Sequence, residues 1–138
     1  MKVDTNPPSA ARRVCIDFDG TILSWGGLYE KRPPFPGVSE AIRALKDAGY
    51  EIVILTSRLS RTWCVAETET NVGETALQFA YHNRQFVEET LRENDIPYDR
   101  ITSEKVPAAI YFDDKAVRIS PIFPLNVAIE MFLRGALV

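Results

Sequence analysis

Several features that mark particular protein classes are missing from this 138-residue sequence. No apolar run approaches the roughly 20 residues of a membrane-spanning helix. The N-terminal stretch M-K-V-D-T-N-P-P-S-A-A-R-R lacks the apolar core of a signal peptide. Two cysteines, Cys15 and Cys64, are too few for a disulfide framework, and a single histidine, His82, argues against a zinc site. These absences predict a cytoplasmic protein that has no membrane partner.

The sequence also lacks an excess of positive charge. Its net charge at pH 7 is -3, which disfavours broad affinity for nucleic acid, although a local basic patch stays open. Hydrophobic residues make up 46% of the chain and charged residues 25%, the balance of an ordinary globular protein. The length suits one domain. We therefore expect a flexible tail over residues 1–11 and a single domain over residues 12–138.

Apolar periodicity predicts that strands and helices alternate along this domain. Strands are expected at residues 14–18, 51–55, 96–102 (one short strand within this stretch) and 108–112, and helices at residues 38–48 and 75–94 and after Pro124. The stripe of the long helix is expected to contain Leu77, Ala80, Tyr81, Val87 and Leu91, and that of the last helix Leu125, Ala128, Ile129 and Phe132. Residues 24–36 are predicted to form a structured loop and residues 58–73 an irregular segment. This alternation predicts an α/β three-layer sandwich around a parallel sheet.

Polar side chains follow three of the predicted strands. Asp17 and Asp19 end the first strand, Thr56 follows the second, and Asp113 and Asp114 follow the fourth. The carboxyl ends of parallel strands meet at one sheet edge, where ligands bind. Two carboxylates two residues apart lie on the same side of a strand and repel each other. A Mg²⁺ ion would offset that repulsion and leave one carboxylate free to attack phosphorus.

Four motifs in this order resemble those of the haloacid dehalogenase (HAD) superfamily of phosphohydrolases. They are D-F-D-G-T at 17–21, I-L-T-S-R at 54–58, Lys105, and Y-F-D-D-K at 111–115, and the resemblance covers residues 14–119. It implies a HAD-like Rossmannoid core and a Mg²⁺-dependent phosphatase that works through an aspartyl-phosphate. The stretches after the first and second motifs are too short for a large cap domain, so we expect an open site.

The resemblance also implies a role for each matching residue. Asp17 is expected to be the nucleophile and Asp19 the general acid/base. Phosphate binding is expected of Gly20, Thr21, Thr56 and Lys105. The metal is expected to lie among Asp17, Asp113, Asp114 and Asp19, the last through its backbone carbonyl. For Arg58 and Lys115, contact with substrate and a structural ion pair stay equally open.

Three functional interpretations remain at this point. The first is phosphomonoester hydrolysis with an unknown substrate. The second is phosphotransfer to an acceptor other than water, or hydrolysis of a nucleic-acid end phosphate. The third is a non-catalytic module that binds a phosphorylated ligand or a partner. A binding module needs neither a nucleophile nor an acid/base, so Asp17 and Asp19 favour catalysis. A homo-oligomer paired through the apolar segment P-L-N-V-A-I-E-M-F-L is one further expectation.

Overall fold

The computed structural model of the protein describes residues 8–70 and 75–137. The strands are β1 (Arg13–Asp17), β2 (Glu51–Leu55), β3 (Arg100–Thr102) and β4 (Ile110–Phe112). The helices are α1 (Val38–Asp47), α2 (Arg61–Thr70), α3 (Ala76–Glu93) and α4 (Leu125–Leu133). Short 3-10 helices at Pro8–Arg12 and Ser57–Leu59 precede β1 and follow β2.

The four strands form one all-parallel sheet in the order β3-β2-β1-β4. In its register Asp17 pairs with Leu55, and Leu55 pairs with Thr102. On the other side of β1, Ile16 pairs with Phe112. All four strands therefore end at the same edge, and the predicted α/β class with a parallel sheet is confirmed.

The two faces of the sheet are covered differently. On one face, Val14, Ile16, Ile52 and Ile54 pack with side chains of α1 and α3 in the main core. On the other face, Cys15 and Val53 pack against Val106 and Ala108. Residues 103–109 connect β3 with β4 across the sheet without a helix. The layer that covers Cys15 and Val53 is therefore this extended segment.

The folded part begins earlier than the sequence predicted. Of the tail expected over residues 1–11, residues 1–7 lie outside the described residues. Pro8–Arg12 forms a 3-10 helix in which Ala10 is fully buried. Proline and alanine carry no periodic signal over so few residues, which is why the sequence pattern did not indicate this helix.

Helix α2 corrects the prediction of an irregular segment over residues 58–73, of which residues 71–73 lie outside the described part. The helix begins after Ser60, whose Oγ accepts a hydrogen bond of 3.5 Å from the backbone N–H of Trp63. The Trp63 ring lies 5.3 Å from the ring of Phe79 on α3, centroid to centroid. Tertiary packing against α3 stabilises a segment whose polar residues hide the helical period.

Helix α3 lies where it was predicted, and it begins with a capping box between Thr75 and Gln78. Its buried face differs from the predicted stripe, because Leu77 and Tyr81 are 81% and 60% exposed. The buried residues of α3 are Phe79, Asn83, Phe86, Val87, Thr90 and Leu91. The buried face includes Asn83 because the side-chain amide of this residue has buried hydrogen-bond partners, which are described below. A prediction from apolar residues alone cannot reveal such partners.

Helix α4 was also predicted, but its apolar residues remain largely at the surface. Ala128 is its buried residue, whereas Leu125, Ile129 and Phe132 of the expected stripe are 59%, 48% and 67% exposed. Apolar periodicity therefore predicted the position of the helix. It could not show that little of the described chain packs against the apolar side chains of this helix. Within residues 8–70 and 75–137, no helix combines the length and the apolar character needed to cross a bilayer.

Candidate functional site

Three carboxylates meet at the carboxyl edge of the sheet. Asp17 ends β1, and Asp113 and Asp114 follow β4, which pairs directly with β1. One oxygen from each of the three lies within 4.8 Å of the others. This cluster matches three of the four residues predicted to hold the metal, and its all-carboxylate donor set suits a hard divalent cation.

The cluster strongly perturbs Asp17. Burial, a hydrogen bond with Asp114 and the charges of Asp113 and Asp114 together raise its pKa to about 7, against a smaller lowering by a hydrogen bond with the backbone of Phe18. The carboxylates thus relieve their repulsion by keeping a proton near neutral pH. A divalent cation among the three groups would neutralise them instead, and would leave Asp17 ionised.

Gly20 and Thr21, both predicted to bind phosphate, occupy different surroundings. Gly20 has a φ of +83°, and a β-carbon there would lie 2.7 Å from Cγ of Asp114. Glycine at this position therefore permits the close approach of Asp114 to the turn. The hydroxyl of Thr21 is buried and has no hydrogen-bond partner among residues 8–70 and 75–137, and Thr21 lines a separate apolar cavity beside α1. The structure does not bring that side chain to the acidic cluster.

A cavity of about 450 Å³ lies over the acidic cluster. Its polar lining residues are Asp17, Asp19, Thr56, Ser57, Ser60, Ser103, Asp113, Asp114 and Lys115. The predicted Thr56 is almost fully buried, and its Oγ1 accepts a hydrogen bond of 3.2 Å from the backbone N–H of Arg58. The three serines were not predicted. Ser103 could have been found, because it directly follows a strand that ends at this edge.

Asp19 lines the same cavity but lies outside the acidic cluster. Its two oxygens accept hydrogen bonds from Arg58: Nε to Oδ2 at 2.8 Å and Nη2 to Oδ1 at 2.9 Å. Arg58 is only 2% exposed. Contact with substrate and a structural ion pair were both left open for Arg58, and in the structure Arg58 forms a buried ion pair. The side chain of Asp19 is likewise paired with Arg58, whereas the metal contact expected of Asp19 was through its backbone carbonyl and stays a prediction.

The predicted phosphate-binding Lys105 lies beside the site cavity. Its Nζ is 5.1 Å from the ring centroid of Tyr111. Lys105 and Arg118 line an adjoining cavity of about 640 Å³, which shares Leu55, Ser103 and Asp113 with the first cavity. Lys115 is the lysine that lines the site cavity itself, and its backbone N–H donates to Oδ1 of Asp113 at 2.7 Å.

These cations are free of acidic partners within the described part of the chain. No carboxylate there forms a salt bridge with Lys105, Lys115 or Arg118. An anionic ligand over the acidic cluster would therefore meet positive charge that the fold has not already neutralised. The arrangement can hold a metal ion at three carboxylates and a phosphate group between that ion and the surrounding hydroxyls and lysines.

Comparison with protein-family models, with curated proteins and with solved structures finds no match for this chain. The family resemblance of the four motifs thus stays an expectation, and the geometry of the cavity and its acidic cluster is the basis for inferring a function.

Proposed function

We propose that this chain is a Mg²⁺-dependent phosphatase of the HAD type, without a large cap, that hydrolyses a phosphomonoester through an aspartyl-phosphate on Asp17. The observation that carries the proposal is the cluster of Asp17, Asp113 and Asp114 beneath a cavity at the carboxyl edge of a parallel sheet. Such an edge is where ligands bind in α/β sheets. The four motifs, in their order, fall at or beside this edge.

The residues of the cluster fit Mg²⁺. All three ligand candidates are carboxylates, two of them are exposed, and neither cysteine nor histidine belongs to the group. Hard oxygen ligands and open positions for water and phosphate are what Mg²⁺ prefers. When bound, the ion would neutralise charge on the transferring phosphoryl group.

The chain's own residues would then carry the two chemical steps. An oxygen of Asp17 attacks phosphorus while the bond from phosphorus to the ester oxygen breaks, and that oxygen leaves with the electron pair and gains a proton. Asp19, in the same cavity, supplies this proton. It later accepts one from the water that attacks phosphorus, while the bond from phosphorus to the Asp17 oxygen breaks and phosphate leaves. Thr56, the serine hydroxyls and Lys115 would hold the phosphoryl oxygens, because positioning and charge neutralisation dominate phosphoryl transfer.

Phosphoenzyme trapping tests the proposal. The protein is mixed with an activated aryl phosphate and Mg²⁺, quenched in acid, digested and analysed by mass spectrometry. We expect one phosphoryl group on the peptide that contains Asp17, with turnover that EDTA abolishes. Asp47→Asn, which changes an exposed aspartate on α1, is the matched control for Asp17→Asn. Undiminished turnover after complete chelation, or no phosphoryl transfer to Asp17, would overturn the proposal.

A second candidate is a non-catalytic module that binds a phosphorylated ligand. The observation that favours it is the pairing of both Asp19 oxygens with Arg58, which engages the proposed acid/base in a buried ion pair. A screen over sugar phosphates, nucleotides, phosphopeptides and 3′-phosphorylated oligonucleotides, with and without Mg²⁺, separates the candidates. Binding without phosphate release supports the module. Transfer to an added alcohol, or release from the oligonucleotides alone, supports the phosphotransferase or the end phosphatase.

A further inference from the structure

We propose that Arg58 is a positioning residue that links the loop of residues 24–36 to Asp19, so that Asp19 is held for catalysis only while this loop is seated. The inference rests on the proposed phosphatase function. Arg58 itself does not line the site cavity. It acts through Asp19, and its three guanidinium nitrogens are divided between the site and the loop.

The guanidinium group forms the centre of this link. Nε and Nη2 donate to the two oxygens of Asp19, at 2.8 and 2.9 Å. Nη1 donates to the backbone carbonyl of Leu28, in the middle of the loop. A guanidinium group is planar and its donors are fixed relative to one another. A displacement of Leu28 would therefore turn the guanidinium group and move Asp19 with it. A lysine, whose side chain is flexible, would not couple Leu28 to Asp19 in this way.

Aromatic rings enclose the same group. Its Cζ lies 4.9 Å from the ring centroid of Trp25 in the loop, 4.8 Å from that of Phe86 on α3, and 5.6 Å from that of Phe18. Phe18 and Phe86 belong to the core, whereas Trp25 is 54% exposed. Trp25 is thus the solvent-facing ring of the enclosure. Its displacement would let water reach the ion pair and would weaken the hold of Arg58 on Asp19.

The backbone of Arg58 is tied to the loop as well. Nδ2 of Asn83, a fully buried residue of α3, donates to the Arg58 carbonyl at 2.8 Å. The hydroxyl of Tyr29 donates to Oδ1 of the same amide at 2.8 Å. The loop therefore contacts the Arg58 network at Trp25, Leu28 and Tyr29. The network also explains why α3 buries a polar Asn83 in its core face.

A purely structural ion pair is the competing explanation, and energetics makes it the weaker one. A buried ion pair is commonly no more stabilising than apolar side chains of the same volume, since both charges lose their hydration. An apolar residue at position 58 would serve packing alone. The guanidinium group of Arg58 instead connects the loop to a carboxylate in the site cavity.

The test uses steady-state and burst kinetics with an activated aryl phosphate and Mg²⁺. Such a leaving group needs no proton, so kcat/KM reports formation of the aspartyl-phosphate, whereas kcat reports its hydrolysis, in which Asp19 activates water. We expect Trp25→Ala and Arg58→Lys to lower kcat about tenfold or more and to accumulate aspartyl-phosphate. Their kcat/KM should stay within about twofold of the wild type, and Trp25→Phe, which keeps a ring, should restore kcat.

Lys31→Ala is the matched control. Lys31 belongs to the same loop and binds Glu93 on α3 through an exposed salt bridge of 2.9 Å, whereas the loop's contacts with the Arg58 network come from Trp25, Leu28 and Tyr29. It should leave kcat unchanged. The proposal is overturned if Trp25→Ala and Arg58→Lys change neither constant. It is also overturned if kcat and kcat/KM fall by one common factor, as they would for a smaller folded fraction.

A readout without turnover separates this inference from the proposed function. In a Trp63→Phe background, Trp25 is the sole tryptophan, and its fluorescence reports its stacking on Arg58. Asp19→Asn removes one end of the link. We expect a shift in Trp25 emission and greater quenching by acrylamide. If the wild type hydrolyses no phosphate, this shift still supports the link while phosphatase activity fails, and an unchanged spectrum overturns the link itself.

Discussion

The backbone at Gly20 and the side chain of Asp114 approach so closely that a side chain at position 20 would displace Asp114. A β-carbon there would lie 2.7 Å from Cγ of Asp114, and the φ of +83° already favours glycine. The turn after β1 thereby sets how near Asp114 comes to Asp17. The conformation of the backbone at Gly20 therefore helps to set the position of Asp114, a candidate metal ligand.

Gly20→Ala should therefore displace Asp114 and weaken the metal site. We expect affinity for Mg²⁺ and activity to fall by roughly 10- to 100-fold. The matched control is Gly37→Ala, because Gly37 has nearly the same φ, +81°, with nothing within 4 Å of an added β-carbon. Both variants bear the backbone cost of about 1–2 kcal/mol. Calorimetric titration with Mg²⁺ measures the difference, and equal affinities in the two variants would contradict the prediction.

The second prediction concerns pH and the raised pKa of Asp17. The folded protein keeps the proton on Asp17 up to about pH 7, whereas the unfolded chain loses it near the ordinary value of 3.8. Without metal, the contribution of Asp17 to the free energy of unfolding is therefore fully present below pH 3.8 and is lost as the pH rises to about 7. Mg²⁺ should raise Tm most at and above pH 7, where it replaces the lost proton.

Thermal denaturation in EDTA from pH 4 to pH 8 measures this effect. Asp17→Asn cannot titrate, so its Tm should fall less over the range, and Mg²⁺ should raise it less. If wild type and variant show the same pH dependence, Asp17 does not carry the proton assigned to it.

The third prediction separates the two aspartates of D-F-D. Asp17→Asn should remove both turnover and phosphoenzyme, because an amide is not a nucleophile. Asp19→Asn should retain phosphorylation of Asp17 by an aryl phosphate while its hydrolysis slows about 10²–10⁴-fold. Single-turnover kinetics with acid quench measures both steps. Near wild-type rates for Asp17→Asn would refute the mechanism.

Much of the acidic site was predictable from the sequence because it depends on short-range order. Apolar runs ending in aspartates identify strands and their carboxyl ends, and parallel pairing brings those ends to one edge. The placement of Asp17, Asp113 and Asp114 follows from this rule alone. The bounds of α1 and α3 follow equally from periodicity and from Gly49 and Thr75 at their ends.

The features that escaped prediction depend on contacts between distant segments. Asp19 and Arg58 are 39 positions apart, and their pairing is set by how the loop of residues 24–36 packs on α3. No local pattern distinguishes an arginine that reaches into a cavity from one enclosed by three rings. Helix α2 and the rotated face of α3 likewise arise from mutual packing, and the second sheet face is covered by a segment without a period.

The fourth prediction concerns the cation implied by the third motif. We expect Lys105→Ala to lower activity strongly without lowering Tm, because Lys105 lines the cavity that adjoins the site and forms no salt bridge with a carboxylate of the described chain. Lys46→Ala is the contrasting variant, since Lys46 pairs with Asp99 away from the site. It should lower Tm slightly and leave kcat unchanged. A large fall in Tm with unchanged activity per folded molecule would make Lys105 structural.

The last prediction concerns α4. Exposed apolar side chains are ordinary when scattered, but α4 concentrates them, with Leu125, Phe132 and Leu133 at 59%, 67% and 78% exposure. We expect a second copy of the chain to cover this helix, because an apolar cavity of about 580 Å³ between α1 and Phe112 offers a complementary surface on the same molecule. Two copies can then exchange helices around a twofold axis.

Sedimentation equilibrium over a range of concentrations tests this association. The wild type should show the mass of a dimer, and Phe132→Glu combined with Leu133→Glu should show that of a monomer, since two buried charges would oppose the contact. Leu77→Glu, at an 81% exposed position of α3, is the matched control and should keep the wild-type mass. A wild type that stays monomeric at every concentration would contradict the prediction, as would an unchanged mass in the double variant.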